Sequence, residues 1–242
     1  MGKRSRKMAE KIKVLGLDIS LNHGAGVELT NGKISDFFYY TNKAGSAKQS
    51  WRATRIPSVI YKTKDNQRIS VSRLSWLKEY LTYTISNLYP QYVGLEDYAV
   101  GAERGSHYLG EIGGVTRLIV YESGLKLRLH DPTSVKMFAA HDGTCRKDAV
   151  ARAVKDKWGC DFSSFDQPLP RPTKKNPEPT RNKQTSEDLC DAYAIAQMVW
   201  TEVKLRSGCI LLSDLHEKEI RVFNRTTKTY PVNLLNREWI SK

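Results

Sequence analysis

The sequence predicts an α/β protein built on a mixed sheet, three antiparallel strands followed by parallel strands, with helices on its flanks. Three observations carry that reading. Short apolar runs at 13–20 and 92–96 each close on a carboxylate, Asp18 and Glu96. Asn31-Gly32 stands between two runs of strand-forming residues, 27–30 and 34–40, and is the strongest short hairpin signal available. A helical pattern at 72–88 precedes the run at 92–96, and strand–helix–strand implies a right-handed crossover to a parallel neighbour.

Taken in order, residues 1–11 are basic, lack an apolar pattern and are expected to form a disordered start. The run at 13–20 reads as a buried strand with Asp18 where it emerges. Asn22, His23, Gly24 and Gly26 read as a turn before the hairpin. Residues 41–58 are basic with interspersed aromatics, including Trp51, Arg52 and Arg55. They fit either a solvated loop or a DNA-contacting one, with cations on phosphates and Trp51 stacking. A small extra hairpin is expected from 56–61 and 67–71. At 72–88, Leu74, Leu77, Leu81, Ile85 and Leu88 keep helical spacing, Ser72 can cap, and Tyr89-Pro90 stops the helix.

After the strand at 92–96 comes a glycine-rich stretch, 101–114, expected to be a loop carrying Arg104, His107 and Tyr108. A helix at 115–121, a strand at 126–129 and helices at 133–140 and 147–158 follow. Residues 162–184 hold five prolines among Arg171, Lys174 and Lys175, a composition that cannot form a core element. The helix from about 186 to 206 is expected to be capped by Thr185 or Ser186. The remainder, 207–242, reads as an extension with strand-like pieces at 219–223 and 229–232.

The 242-residue chain carries a formal charge of +13, which makes a polyanion the default partner. Cys145, Cys160, Cys190 and Cys209 form no CxxC pair, so they read as free thiols in a reducing cytoplasm rather than as a zinc site. No apolar run reaches membrane-spanning length.

Asp188 and Asp191 lie three residues apart, on one face of their helix. Alone, they fit a helix N-terminus favoured by the dipole, and Thr185 with Asp188 fits a capping-box spacing. With Asp18 and Glu96 also at element ends, a second reading gains weight. Four converging carboxylates make a hard-oxygen site suited to magnesium. Two such ions, roughly 3.5–4 Å apart, activate water and steady the leaving oxygen of a phosphodiester.

The order of motifs resembles the RuvC-like Holliday-junction resolvases of the RNase H-like (retroviral integrase) superfamily. Gly16-Leu17-Asp18 looks like the family's first catalytic strand, and Gly94-Leu95-Glu96 like its second catalytic position. Residues 109–115 resemble its L-G-x-x-x-G-V segment. Val135-Lys136, Gly143, Lys147 and Val150 keep its V-K…G…K…V spacing. Residues 188–196 resemble its closing D-x-x-D-A-x-A-I-A. There are departures: Ile19-Ser20 replaces Pro-Gly, His141 stands at a usual glycine, and Ala99 replaces the junction-inserting aromatic, whose nearest stand-in is Tyr98. The long loops at 41–70 and 162–185 look more like a phage or otherwise divergent member.

The resemblance implies an RNase H-like nuclease domain at 12–206 with an insertion at 162–185. It implies two Mg2+ ions, with Mn2+ as a substitute, held by Asp18, Glu96, Asp188 and Asp191, with Lys147 on the scissile phosphate. DNA would be met by Lys136, Lys147, Tyr98, Arg104, His107, Trp51, Arg52, Arg55, Lys174 and Lys175. It implies a homodimer that resolves four-way junctions, in the cytoplasm of a bacterial or phage-infected cell. A nuclease for flaps, forks or other branched DNA, and a silent DNA-binding module on the same fold, are the alternatives.

Overall fold

Apolar alternation in the first part of the chain becomes three antiparallel strands, β1 (Lys13–Ile19), β2 (His23–Thr30) and β3 (Lys33–Thr41). The computed structural model describes residues 11–20, 23–41, 59–60, 71–97, 106–168, 181–182, 184–228 and 230–242. Asn31 and Gly32 both take positive φ, 50° and 82°, which is the backbone a two-residue type I′ hairpin needs. The two-residue β4 (Val59–Ile60) adds to β3 in parallel. Helix α1 (Val71–Leu88) crosses over to β5 (Tyr92–Glu96), and α2 (Ser106–Glu122) to β6 (Lys126–His130). β5 lies parallel to β1 and β6 parallel to β5, giving the sheet order β4-β3-β2-β1-β5-β6.

The period-2 pattern of β1 explains the layers. Leu15 and Leu17 face α1 and α2, packing with Phe38, Leu77, Leu81, Ile85, Val93 and Leu95. Val14 faces the other side, with Val27, Leu29, Leu189, Ile195 and Val199. That second side is covered by α5 (Gln184–Arg206), backed by α3 (Pro132–Ala140) and α4 (Lys147–Trp158). Helix α5 is buried nearly all round from Asp188 to Val203, as befits a helix pressed between a sheet and two other helices. Among the described residues no helix is long and apolar enough to cross a membrane.

Several expectations are corrected. His23, Gly24 and Gly26 belong to β2, not to a turn; the glycines are there because aromatic rings of β3 lie across them, and a Cβ on Gly26 would sit 2.2 Å from the Phe38 ring. Helix α2 begins at Ser106, so His107 and Tyr108 are helical and 109–115 is a helix interior; its burial against α1 outweighs the glycine content. Val71 opens α1 instead of closing a hairpin, and Val59–Ile60 pairs in parallel with β3. Helix α5 starts at Gln184, so Thr185 and Ser186 lie inside its first turn; the Ser186 hydroxyl donates to Asp166. Phe162, from the start of the Pro-rich segment, is a core residue packed edge-on to Phe37 and Tyr193.

In the extension, 219–223 is part of a helix, α6 (Glu217–Asn224), not a strand. Val222 and Phe223 bury against Phe138, Met198 and Leu234, and His216 caps the helix through Nδ1, which accepts from the Lys218 amide at 3.2 Å. No strand forms at 229–232 among its described residues; Ile240 makes the sheet contact, bridging Leu127. His141 ends α3 with φ 59°, the left-handed C-cap conformation that favours glycine, so the histidine occupies a position where glycine is ordinary for a backbone reason.

Candidate active site

Helix α5 lies directly on β1 and β5 because both strands present glycine beneath it. A Cβ on Gly16 would be 2.1 Å from the Ala192 carbonyl oxygen and 2.5 Å from the Ala196 nitrogen; one on Gly94 would be 2.6 Å from Ile195 Cγ2. Two residues further along each strand, on the same face, stand Asp18 and Glu96. The parallel register, Leu17 opposite Leu95, places the two acids side by side at the ends of neighbouring strands. The first turns of α5 deliver Asp188 and Asp191 to the same spot.

Lys147, the first residue of α4, reaches into this cluster. Its Nζ lies 3.1 Å from Asp191 Oδ2, 3.2 Å from Asp188 Oδ1 and 4.0 Å from Asp18 Oδ2. Burial lowers the affinity of such an amine for its proton, but Asp191, Asp18 and Asp188 outweigh that and hold the ammonium more firmly charged than usual. Burial first, then Glu96, Asp191 and Asp188, push Asp18 well above the ordinary carboxylate range, with Lys147 opposing. Glu96 is raised to about 7, by burial and then by Asp191. Asp191 is raised by burial, against the pull of Lys147.

No protein-family model and no curated protein matches the sequence. The structure does have likenesses among solved structures. Thermus thermophilus RuvC in complex with a Holliday junction substrate matches with a TM-score of 0.51 at 17% identity, over 82% of this chain and 97% of that one. The fold is RuvC-like. Thermus thermophilus RuvC in another structure gives 0.48 at 16% identity, covering 78% and 94%, and the yeast mitochondrial Holliday junction resolvase gives 0.45 at 15%, covering 84% and 85%.

On this RuvC-like frame the structure brings together five of the sequence-predicted site residues: Asp18, Glu96, Asp188, Asp191 and Lys147. Lys136, on α3, is near enough to favour the charged forms of Glu96 and Asp191. His107 falls in the first turn of α2, with its side chain outside the described residues. Trp51, Arg52, Arg55, Tyr98, Arg104, Lys174 and Lys175 lie wholly outside them. Asp97, the acid beside Glu96, is taken up elsewhere, accepting from Arg117 and from the Tyr230 hydroxyl of the extension.

Two site residues, His23 and Gln184, escaped the sequence reading. His23, at the start of β2, places Nδ1 2.6 Å from Asp188 Oδ2, while Gln184 Nε2 donates to Asp188 Oδ1 at 2.8 Å. Ser20 closes the strand junction by donating from Oγ to the His23 carbonyl at 2.6 Å. Asp188 is therefore fixed from three directions, by an imidazole, an amide and an ammonium. The only sequence signal for His23 was the recurrence of a polar, ligand-capable side chain five residues after Asp18.

The donor types suit a hard divalent ion, since four carboxylates and no thiol gather at this end of the β1/β5 pair. As they stand, no three acidic, histidine or cysteine side chains among the described residues are arranged to hold one. The Lys147 ammonium sits there against three of the four acids.

Proposed function

We propose that this chain is a divalent-metal-dependent endonuclease that cuts branched DNA and favours the four-way junction. The observation that carries the proposal is the meeting of Asp18, Glu96, Asp188 and Asp191 around the Lys147 ammonium at one end of the β1/β5 pair. Four acids held this close, with Asp18, Glu96 and Asp191 raised in proton affinity, mark a functional site more often than a structural one. The RuvC-like fold supports the same reading, and the junction seen with Thermus thermophilus RuvC supports the choice of substrate.

In this proposal Asp18, Glu96, Asp188 and Asp191 hold one or two Mg2+ ions, which Mn2+ can replace. Bound there, such ions supply an activated water and stabilise the leaving oxygen of a phosphodiester. The protein's own groups do the rest. His23 and Gln184 hold Asp188 in one orientation, a second layer of the kind that tunes a metal ligand. Lys147, at the rim, meets the scissile phosphate. The +13 charge draws the DNA backbone in without reading sequence. A junction has two-fold symmetry and needs two cuts, so the active form is a homodimer; exposed Tyr83, Leu118 and Tyr121 on α1 and α2 offer it an apolar face.

A cleavage panel tests this. Purified protein is given a mobile four-way junction, a fork, a flap and linear duplex, each with Mg2+ or EDTA. Symmetric nicking of the junction in Mg2+, and none in EDTA, is expected. Asp18→Asn should abolish cutting while leaving junction binding intact or tighter. Full cleavage by Asp18→Asn in Mg2+ would sink the site, and preferred cutting of flaps or forks would overturn the junction assignment.

A further inference from the structure

We infer that Lys147 is a resident counter-ion: in the metal-free protein its ammonium takes the place of a divalent cation among Asp18, Asp188 and Asp191, and it is displaced when metal enters. The inference rests on the metal-site reading above and adds a competition to it.

The geometry is that of a solvation shell. An ammonium has three N–H donors and no acceptor. Here it faces three carboxylate oxygens, two at 3.1 and 3.2 Å and the third at 4.0 Å. Four carboxylates, Asp188 and Asp191 buried and Asp18 and Glu96 half-buried, cannot stand together uncompensated in a folded chain. Lys147 supplies a full positive charge among three of them. An ion drawn to the same Asp188 and Asp191 oxygens would lie against the ammonium, like charge on like. One of the two must leave.

Lys147 is built to leave. Its side chain is 41% exposed, whereas those of Asp188 and Asp191 are 3% and 12% exposed. It hangs on a flexible four-carbon stem at the very start of α4. Its position is also not one that helix formation favours. A cation in the first turn opposes the helix dipole, and the N-cap residue, Arg146, makes no side-chain capping bond. The contacts that keep a lysine there are those with the acids. Once displaced, the same ammonium is free at the rim of the site, where an incoming phosphate must pass. The residue thus serves two partners in turn, carboxylates before metal and phosphate after it.

The competition fixes a sign that a plain phosphate contact does not. Lys147→Met keeps the length and apolar body of the stem and removes the charge. The test is calorimetric titration of Mn2+ into EDTA-stripped, dialysed full-length protein at one neutral pH without DNA, paired with thermal melting. Metal-free Lys147→Met should melt below wild type, bind Mn2+ about tenfold more tightly or better, and gain more in Tm when metal is added. Lys147→Gln, which keeps a donor but no charge, should shift affinity in the same direction, and provides the measurement if the methionine variant folds poorly. Lys147→Arg, which keeps the charge, should stay near wild type. Equal or weaker binding by the charge-free variants would overturn the counter-ion role while leaving the metal site standing. No binding by wild type or variants would overturn the metal site and the inference together.

Discussion

Gly16→Ala is the most direct probe of how the fold sets the site. The added methyl carbon would lie 2.1 Å from the Ala192 carbonyl oxygen, 2.5 Å from the Ala196 nitrogen and 2.9 Å from Ala196 Cβ. Ordinary contact begins near 3.4 Å, so helix α5 must lift from β1 by about 1.3 Å. Two of the three obstructing atoms are backbone, so no side-chain rotation relieves the clash. Overpacking of this kind costs about 1–3 kcal/mol, and alanine's better strand propensity returns roughly 0.5–1 of it. For a chain of this size a net loss of about 1 kcal/mol lowers Tm by roughly 2–4 °C. The functional loss should be larger, because the lifted helix carries Asp188 and Asp191 away from Asp18 and Glu96. A displacement of about 1 Å at a reacting centre commonly costs on the order of a hundredfold in rate. Thermal melting and single-turnover junction cleavage would be measured together, with Gly114→Ala as the control, since a Cβ on Gly114 meets nothing within 4 Å. If Gly16→Ala melts and cuts like wild type, the close approach of α5 to β1 is not what assembles the acids.

Three further outcomes are expected. His23→Ala should raise the Mg2+ concentration needed for half-maximal cleavage about 10–100-fold, while His23→Asn, which offers a donor where Nδ1 stands, should recover most of it; an unchanged requirement in His23→Ala would remove the imidazole from the site. Metal-free stability should fall as pH rises from about 5 to 7. Asp18, Glu96 and Asp191 hold protons more tightly folded than unfolded, so the unfolded chain binds fewer protons in that window; the share of the penalty due to Glu96 is complete above about 7 and fades as pH falls. Melting curves in EDTA across that range, flattened by added Mg2+, are the measurement, and a level curve in EDTA would refute the crowding. Glu202→Gln should cost about 3–5 kcal/mol in urea denaturation, because Arg128, bridged to Glu202 at 2.5 Å and 3.0 Å, would stay buried without its counter-charge; a shift under 1 kcal/mol would show the pair to be dispensable.

Much of the site was legible because two strands repeat one device, glycine, leucine, acid. The structure explains the glycine: it is the gap through which α5 reaches the sheet, and the acid follows on the same face. β5 and α4 were legible to the residue, since Gln91 and Pro90 bound one and Gly159 ends the other. His23 was not, because Asn22-His23-Gly24-Ala25-Gly26 has the composition of a turn, and only the rings of β3 reveal why a strand needs glycine there. The start of α2 was hidden for a similar reason, its glycines lowering helix propensity that burial restores. In the extension, Ile220 and Val222 alternate with charge and so mimic a strand. The burial of Val222 and Phe223 on α3 and α5 settles the segment as a helix.

The last residues of the chain act on the sheet from outside. β6 is its final strand, and Ile240 closes onto it through a pair of backbone hydrogen bonds with Leu127, 2.8 and 3.1 Å long. Beside them the Arg128 guanidinium takes the carbonyls of Arg237 and Glu238 and stacks against Trp239. An uncovered strand margin is a template for any other extended chain. The extension therefore works as a selvage, a finished border that keeps the weave from catching on its neighbours. A protein shortened before Arg237 would carry an intact set of acids and a raw border, and it would be expected to lose itself to self-association before its chemistry could be assayed.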